Sequence, residues 1–349
     1  MRCWENTIVF EDTMRVCSLF SGIGGIDIAF RQAGFDIVWA NEIDKYASDT
    51  YEHNLGSEAL VRGNIKKIDT RIIPEHDILV AGFPCQAFSY AGEKRGFEDA
   101  RGTLFFELAR AVKETQPKVF LGENVRGLFT HEGGKTLQVI KDVIADLGYT
   151  LIEPRVLKAI MYQVPQKRER LILIAIRNDI ADKVQFYWPS PYHRVLTLRD
   201  ALYKGVLYDI DVPNSIGQQY PKRKKEIMDM VPMGGNWNNL PLEIQKEYLK
   251  GSFGLGGGKT GIARRLSLDE PSLTLTCAPA MKQTERCHPI ETRPLNVREY
   301  ARIQTFPDDW QFCGKMDAQY KQIGNAVPVN LAAAIGRAII RLLNDIERL

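Results

Sequence analysis

Cysteine is scarce: the 349 residues hold six, Cys3, Cys17, Cys85, Cys277, Cys287 and Cys313, and no two form a C-x-x-C pair. That spacing excludes a disulfide framework and a structural zinc site, so no metal is expected and a reducing cytoplasm is. Long apolar runs are missing as well. Nothing in the chain approaches the length that spans a bilayer, and the N-terminus, Met1-Arg2-Cys3-Trp4-Glu5-Asn6, has no basic-then-apolar signal pattern. The expectation is a protein neither exported nor membrane-bound. A strong charge of one sign is also absent, with 46 Lys and Arg against 43 Asp and Glu. Any surface for nucleic acid must therefore be local rather than a property of the whole molecule. There are no internal repeats and no low-complexity tracts. What remains is an ordinary globular composition, 44% hydrophobic and 26% charged, at a length that suits one large core and a smaller second domain.

The first part of the chain alternates short apolar strands with helical stretches. Val16 to Phe20 leads into Ser21-Gly22-Ile23-Gly24-Gly25, a strand, glycine loop and helix in which backbone can approach a ligand and the helix offers its N-terminus. A second strand, Phe35 to Ala40, ends at Asn41-Glu42-Ile43-Asp44. Glu42 thus lies about 20 residues beyond the loop, where a carboxylate can hold ribose hydroxyls, and the cofactor is expected to be adenosine-like. Gly63-Asn64-Ile65 ends a third short segment. Ile78 to Ala81 then form a strand suited to burial on both faces, and Gly82-Phe83-Pro84 delivers Cys85 to its carboxyl end, where open α/β sheets place their ligands. Cys85 could be one more small buried hydrophobe. The charged, glycine-rich stretch through Gly92, Gly96 and Gly102 reads instead as a loop that closes over a substrate.

Val119 to Leu121 form another strand, with Glu123-Asn124-Val125 at its carboxyl end on the same sheet edge as Cys85. Lys135 to Leu147 suits a helix. In Gln166-Lys167-Arg168-Glu169-Arg170, strand alternation puts Gln166, Arg168 and Arg170 on one face, fit for an anion or a base carbonyl, or simply a charged strand edge. From about Phe186 prolines and glycines break the rhythm. Between Lys183 and Arg293 there are 16 Lys and Arg against 11 Asp and Glu, clustered at Lys222-Arg223-Lys224-Lys225 and Arg264-Arg265. Such clusters are either a solvated face or a phosphate-binding one. Regular structure returns where Asn296 can cap a helix, and Leu331, Ala334, Ile335, Ala338, Ile339, Leu342, Leu343 and Ile346 trace the apolar face of a long terminal helix.

A thiolate, a neighbouring carboxylic acid, paired arginines and an adenosine pocket point to covalent catalysis with a cofactor-borne group, because they form no hydride-transfer or phosphoryl-transfer set. Cytosine suits them as target: C5 becomes nucleophilic once a thiolate adds at C6, assisted by a carboxylic acid at N3. In motif content and order the chain resembles the DNA cytosine-C5 methyltransferases of bacterial or phage restriction-modification type. The resemblance rests on Leu19-Phe20-Ser21-Gly22-Ile23-Gly24-Gly25, Gly82-Phe83-Pro84-Cys85-Gln86, Glu123-Asn124-Val125, Gln166 to Arg170, Arg298-Glu299-Tyr300-Ala301-Arg302 and Gln322-Ile323-Gly324-Asn325-Ala326-Val327. It spans nearly the whole chain.

The resemblance implies a doubly wound, Rossmann-like α/β fold that binds S-adenosyl-L-methionine, built from residues 1–190 and 310–349, with the terminal helix returning to it. It implies a smaller, mostly irregular and β target-recognition domain with its hinge over 191–309. Phe20, Gly22, Gly24, Gly25, Glu42, Ile43, Asn64, Ile65, Pro84, Asn325 and Val327 are the implied cofactor contacts. Cys85 becomes the nucleophile and Glu123 the acid at N3, while Arg168 and Arg170 orient the base, Arg170 at O2. Base flipping follows, since a thiol cannot reach C6 in a stacked duplex. Gln86, Ser89, Arg264 and Arg265 are the expected contacts to double-stranded DNA. A monomer paired with a cognate restriction endonuclease is the implied setting. Two departures stand out: Ser18 where many members carry an acid, and Asn64 where an Asp often meets the adenine amino group. An amide oxygen still accepts that bond. A catalytically silent DNA-binding regulator and an RNA cytosine methyltransferase are the alternatives on the same fold.

Overall fold

The computed structural model describes residues 13–83, 103–254 and 259–349. The alternation seen in the sequence becomes β1 (Arg15–Leu19), α1 (Gly25–Ala33), β2 (Asp36–Glu42), α2 (Lys45–Leu55), β3 (Leu60–Arg62), β4 (Ile78–Gly82), α3 (Leu104–Thr115) and β5 (Val119–Val125). Next come α4 (Gly127–Thr130), α5 (Lys135–Asp146), β6 (Tyr149–Leu151), β7 (Arg155–Lys158), β8 (Gln166–Lys167), β9 (Glu169–Arg177) and α6 (Asn178–Ala181). The strands assemble in the order β3-β2-β1-β4-β5-β9-β6, with β7 also paired to β9. The first five are parallel, and β9 runs antiparallel to β5, β6 and β7.

Side-chain alternation explains why this sheet is covered on both faces. Ile78, Val80, Val119, Leu121, Ile172, Ile174 and Ile176 point into one apolar layer with α1. Leu79, Ala81, Phe120, Leu171, Leu173 and Ala175 point into the other, with α3 and α5. Continuous apolar strands are what burial between two helical layers requires. Because the parallel strands share one direction, the carboxyl ends of β1, β2, β4 and β5 open on a single edge, where the glycine loop, Glu42, Gly82 and Glu123 lie.

The remaining elements are α7 (Leu198–Leu202), α8 (Lys222–Asp229), α9 (Leu242–Leu249), β10 (Ser272–Leu273), α10 (Val297–Ile303), α11 (Met316–Asn325) and α12 (Val329–Glu347). Among the described residues of 191–309, regular structure is mainly short helix, and β10 pairs only with β8. This stretch has its own small core of Tyr220, Ile227, Met228, Val231, Leu240, Leu249, Ile262, Ala263 and Cys287. Leu198, Ala201, Leu266, Leu268, Leu295 and Tyr300, by contrast, join the main core. The cap read at Asn296 forms a reciprocal box, Asn296 accepting from the Glu299 N–H and Glu299 from that of Asn296.

The apolar stripe of α12 packs against α1, with Gly336 set against Phe30. The terminal stretch Met316–Glu347 is long and apolar enough by composition to cross a membrane, but 67% of its most apolar window is buried inside the protein. Burial of this kind accounts for the stripe as a core surface.

Candidate active site

The sheet's carboxyl edge opens into a cleft of about 890 Å³. One end is walled by Phe20, Gly22, Gly25, Glu42, Ile43, Asn325 and Val327, the other by Gly82, Phe83, Glu123, Asn124, Arg168 and Arg170. Residues from the first strand and the last helices thus meet across nearly the whole chain length.

At the first end the glycine loop and Glu42 are one unit. The Glu42 carboxylate accepts the Gly22 N–H on Oε2 at 2.8 Å, and the N–H groups of Ile43 and Asp44 on Oε1 at 2.8 and 2.7 Å. A carboxylate has about four acceptor positions, so one on Oε2 remains for a ligand hydroxyl. Gly25 lets this loop lie directly against the Val327 segment of the wall, because a Cβ there would stand 2.8 Å from the Val327 carbonyl oxygen. Phe20 is held at φ 56°, a region costly for a bulky residue and typical of ligand-binding turns. Across the rim Lys321 Nζ meets Asp44 Oδ2 at 3.0 Å, and Asp44 caps α2 by accepting from the N–H groups of Tyr46 and Ala47.

At the other end, Gly82 and Glu123 are register partners on β4 and β5. The absence of a side chain on Gly82 leaves room for Glu123, whose Oε2 would lie 3.3 Å from any Cβ there. Glu123 is buried, and its Oε1 lies 2.7 Å from Arg170 Nε. Burial pushes the Glu123 carboxyl up from its ordinary value, with Arg170 and Arg168 opposing that shift. Burial also lowers Arg170, with Glu123 opposing, though a guanidinium stays charged at any working pH. A carboxyl held near a cation but out of water is suited to carrying a proton to a buried base.

The second arginine does something else. Arg168 is 2% exposed; its Nη2 donates to the carbonyls of Gly324 at 2.9 Å and Ala326 at 3.0 Å, and its Nη1 to Leu275 O at 3.4 Å. These bonds tie it to the Asn325 segment, while it also lines the cleft. Gln166 and Gln304 extend the same buried network, joined at 2.9 Å, with Gln304 donating to the carbonyls of Ile323 and Ala326.

Pro84, Cys85, Gln86 and Ser89 lie outside the described residues. Their neighbour Phe83 is fixed, because buried Asn124 donates from Nδ2 to the Phe83 carbonyl at 2.8 Å. Asn124 stands in a quoted motif, yet nothing in the sequence alone gave it this role; a buried amide at a strand's carboxyl end was the signal available. Gly24 is not in the cleft wall and packs on Leu55 and Tyr51. Asn64 and Ile65 are not in the wall either. Asn64 Oδ1 accepts the Lys66 N–H at 3.0 Å, and Ile65 is buried in the core.

Of the two expected DNA-reading arginines, Arg265 is 4% exposed. Its guanidinium donates to Val231 O, Met228 O and Thr292 Oγ1 at 2.7, 2.7 and 2.8 Å, so it braces the small core. Arg264 is half-buried.

Residues 14–341 match the family model described as C-5 cytosine-specific DNA methylase. The chain belongs to this family. It is 61% identical over 345 residues to Type II methyltransferase M.Eco47II of Escherichia coli, covering 99% of this chain and 83% of that protein. To Type II methyltransferase M.PspPI of Psychrobacter sp. (strain TA137) it is 59% identical over 343 residues, covering 98% and 82%. The crystal structure of the S. pombe Dnmt2 methyltransferase superposes with a TM-score of 0.62 over 95% of this chain and 100% of that one; at 18% identity it shares the fold. The α/β fold described above is thus shared with a solved methyltransferase structure as well as implied by the family.

Proposed function

We propose that this methylase transfers a methyl group from S-adenosylmethionine to C5 of a cytosine within a specific double-stranded DNA sequence, as the protective methyltransferase of a restriction-modification system. Its similarity to two Type II methyltransferases supports that setting. A monomer acting beside a cognate restriction endonuclease completes the reading.

The carrying observation is that Glu123 with Arg170, and Glu42 with the glycine loop, face one cleft whose wall includes Phe83, two residues before Cys85. The cofactor fits the loop end: Glu42 keeps an acceptor position for a ribose hydroxyl, and Phe20, Ile43, Asn325 and Val327 supply the wall. When bound there, S-adenosylmethionine supplies an electrophilic methyl carbon. A flipped cytosine enters the Glu123 end. The Cys85 thiolate forms a bond to C6 while Glu123 gives its proton to N3, which moves electron density to C5. Arg170 holds Glu123 in place and donates toward O2. Once C5 carries the methyl group, its proton passes to solvent, the thiolate departs from C6 and N3 returns its proton to Glu123, which restores the aromatic ring and the starting enzyme.

Residues 191–309 serve as the target-recognition domain and hinge. The small separate core around Met228 and Ile262 supports this division, and Arg264 is the remaining arginine of the expected pair available to DNA. Incubation with methyl-labelled cofactor and a mixed-sequence plasmid, followed by bisulfite mapping, tests the proposal. Label is expected at C5 of cytosines in one short sequence, and Cys85→Ala is expected to abolish it while cofactor binding persists. Label incorporated by Cys85→Ala, or label only in added RNA, would refute it.

A further inference from the structure

Down the flank of the central sheet, away from the cleft, three arginines stand beside three aromatic rings. Arg337 and Arg341 lie one turn apart on α12, exposed on the same face. The stretch 186–192 runs antiparallel to them: the Arg341 guanidinium sits 4.4 Å from the centre of the Tyr187 ring, and Arg337 Nη2 donates to the Tyr192 hydroxyl at 3.4 Å. On the other side of this stretch, exposed Arg155 of β7 lies over the Trp188 ring, 5.4 Å from its centre. None of the three arginines has an ion-pair partner among the described residues; the carboxylates of α12 are taken up elsewhere, Asp345 by Arg348 at 3.6 Å and Glu347 by Lys118. The stretch is anchored at three points. Phe186 is buried and meets Trp188 edge-on at 5.1 Å, the Tyr162 hydroxyl donates to Pro189 O at 3.2 Å, and the Tyr192 N–H donates to Met161 O at 2.8 Å. Pro189 and Pro191 restrict the backbone between them. Tyr187 and Tyr192 nevertheless remain 46% and 41% exposed.

A solvated face is usually built from scattered lysines, yet neither α12 nor residues 186–192 contains one. Arginine and aromatic residues are enriched at the buried centre of protein interfaces, where lysine is depleted. Each planar guanidinium offers a fork of donors that fits a carboxylate, and the neighbouring ring already holds it in place, so little freedom is lost on binding. Position sets this face apart from the DNA substrate. α12 starts two residues beyond Val327 of the cleft wall, and at about 1.5 Å per residue Arg337 and Arg341 lie about 12 and 18 Å further down the helix. The far end of α12 meets Lys118, just before β5, at the amino ends of the strands. Independently of the chemistry in the cleft, we infer that this face docks a second protein through an acidic segment, whose carboxylates pair with Arg337 and Arg341 while its apolar side chains cover Tyr187 and Tyr192.

The probe is a labelled peptide of alternating glutamate and leucine, titrated with the full chain by fluorescence anisotropy, with a peptide of alternating glutamine and leucine as the control. The glutamate peptide is expected to bind and the glutamine peptide not to. Arg337→Gln combined with Arg341→Gln should weaken binding by about tenfold or more, since two charge-assisted contacts are lost. Lys67→Gln, which removes an exposed charge just after β3 on the far edge of the sheet, should leave it unchanged. Thermal melting, DNA affinity and methyl transfer should be unaltered in the double variant, because both arginines are exposed and lie outside the cleft. Equal peptide binding by parent and double variant, or none by the parent, overturns the assignment. A double variant that loses DNA affinity would make this a phosphate-binding face, and a dimer lost in the double variant on sedimentation would make it a contact between copies of the chain; either result also overturns it.

Discussion

Replacing Glu123 by glutamine separates its chemical role from its structural one. The amide oxygen can still accept from Arg170 Nε, now at 2.7 Å from Oε1, but the buried guanidinium loses its counter-charge. A charge-assisted bond contributes about 1.5–3 kcal/mol and a neutral one about 0.5–1.5, so the loss of stability is expected at about 1–2 kcal/mol. Deleting the partner outright would cost about 3–5 kcal/mol. The chemical penalty is larger: a positioned acid contributes about 10²- to 10⁴-fold, or about 2.7–5.5 kcal/mol of barrier. Single-turnover methyl transfer at saturating cofactor and DNA, with thermal melting to confirm folding, reads both numbers. The pH profile adds a second signature. Because burial raises the Glu123 carboxyl, the parent holds its proton to higher pH than a free glutamate, and the rate falls as pH rises through that raised value. Glutamine does not titrate, so this limb disappears in the variant. A variant rate within twofold of the parent, or an unchanged alkaline limb, would refute Glu123 as the acid.

Glu42→Ala is expected to weaken S-adenosylmethionine more than DNA, since it removes the ribose acceptor and frees the N–H groups of Gly22, Ile43 and Asp44; calorimetry showing equal cofactor affinity would make Glu42 purely structural. Asp27 is buried, and desolvation raises its carboxyl to about 6, against smaller opposing effects of Tyr51 and Ser18. The folded state therefore binds this proton more tightly than the unfolded chain. That contribution is fully present below about pH 4, is lost as pH rises toward 6, and amounts to about 3 kcal/mol. Asp27→Asn should gain stability relative to the parent as pH rises from 4 to 7 in urea titrations, and a pH-independent difference would count against it. Arg265→Met should destabilise the protein by about 3 kcal/mol or more, because several buried acceptors lose their donor. Unchanged stability with altered site preference would return Arg265 to the DNA-reading role.

What could be read early was local. The glycine loop, Glu42 and Glu123 each sit at the carboxyl end of an apolar strand, and strand ends are marked by the composition of a few adjacent residues. The cap at Asn296 is similarly contained within four residues. Asn124 was legible as a motif member, but its task depends on where β4 ends beside β5.

The sequence by itself determined an α/β sheet with its ligand edge, and which carboxylates face that edge, because a period of two and a strand's direction dictate both. Only the tertiary structure decided what each arginine does. Arg168 and Arg170 are two residues apart, yet one ends on carbonyls 107 to 158 residues away and the other on Glu123. Arg264 and Arg265 divide in the same way, one half-buried and the other enclosed by the carbonyls of Met228 and Val231. A guanidinium binds a backbone carbonyl, a carboxylate or a phosphate with the same donors, so its partner is set by which distant segments fold around it.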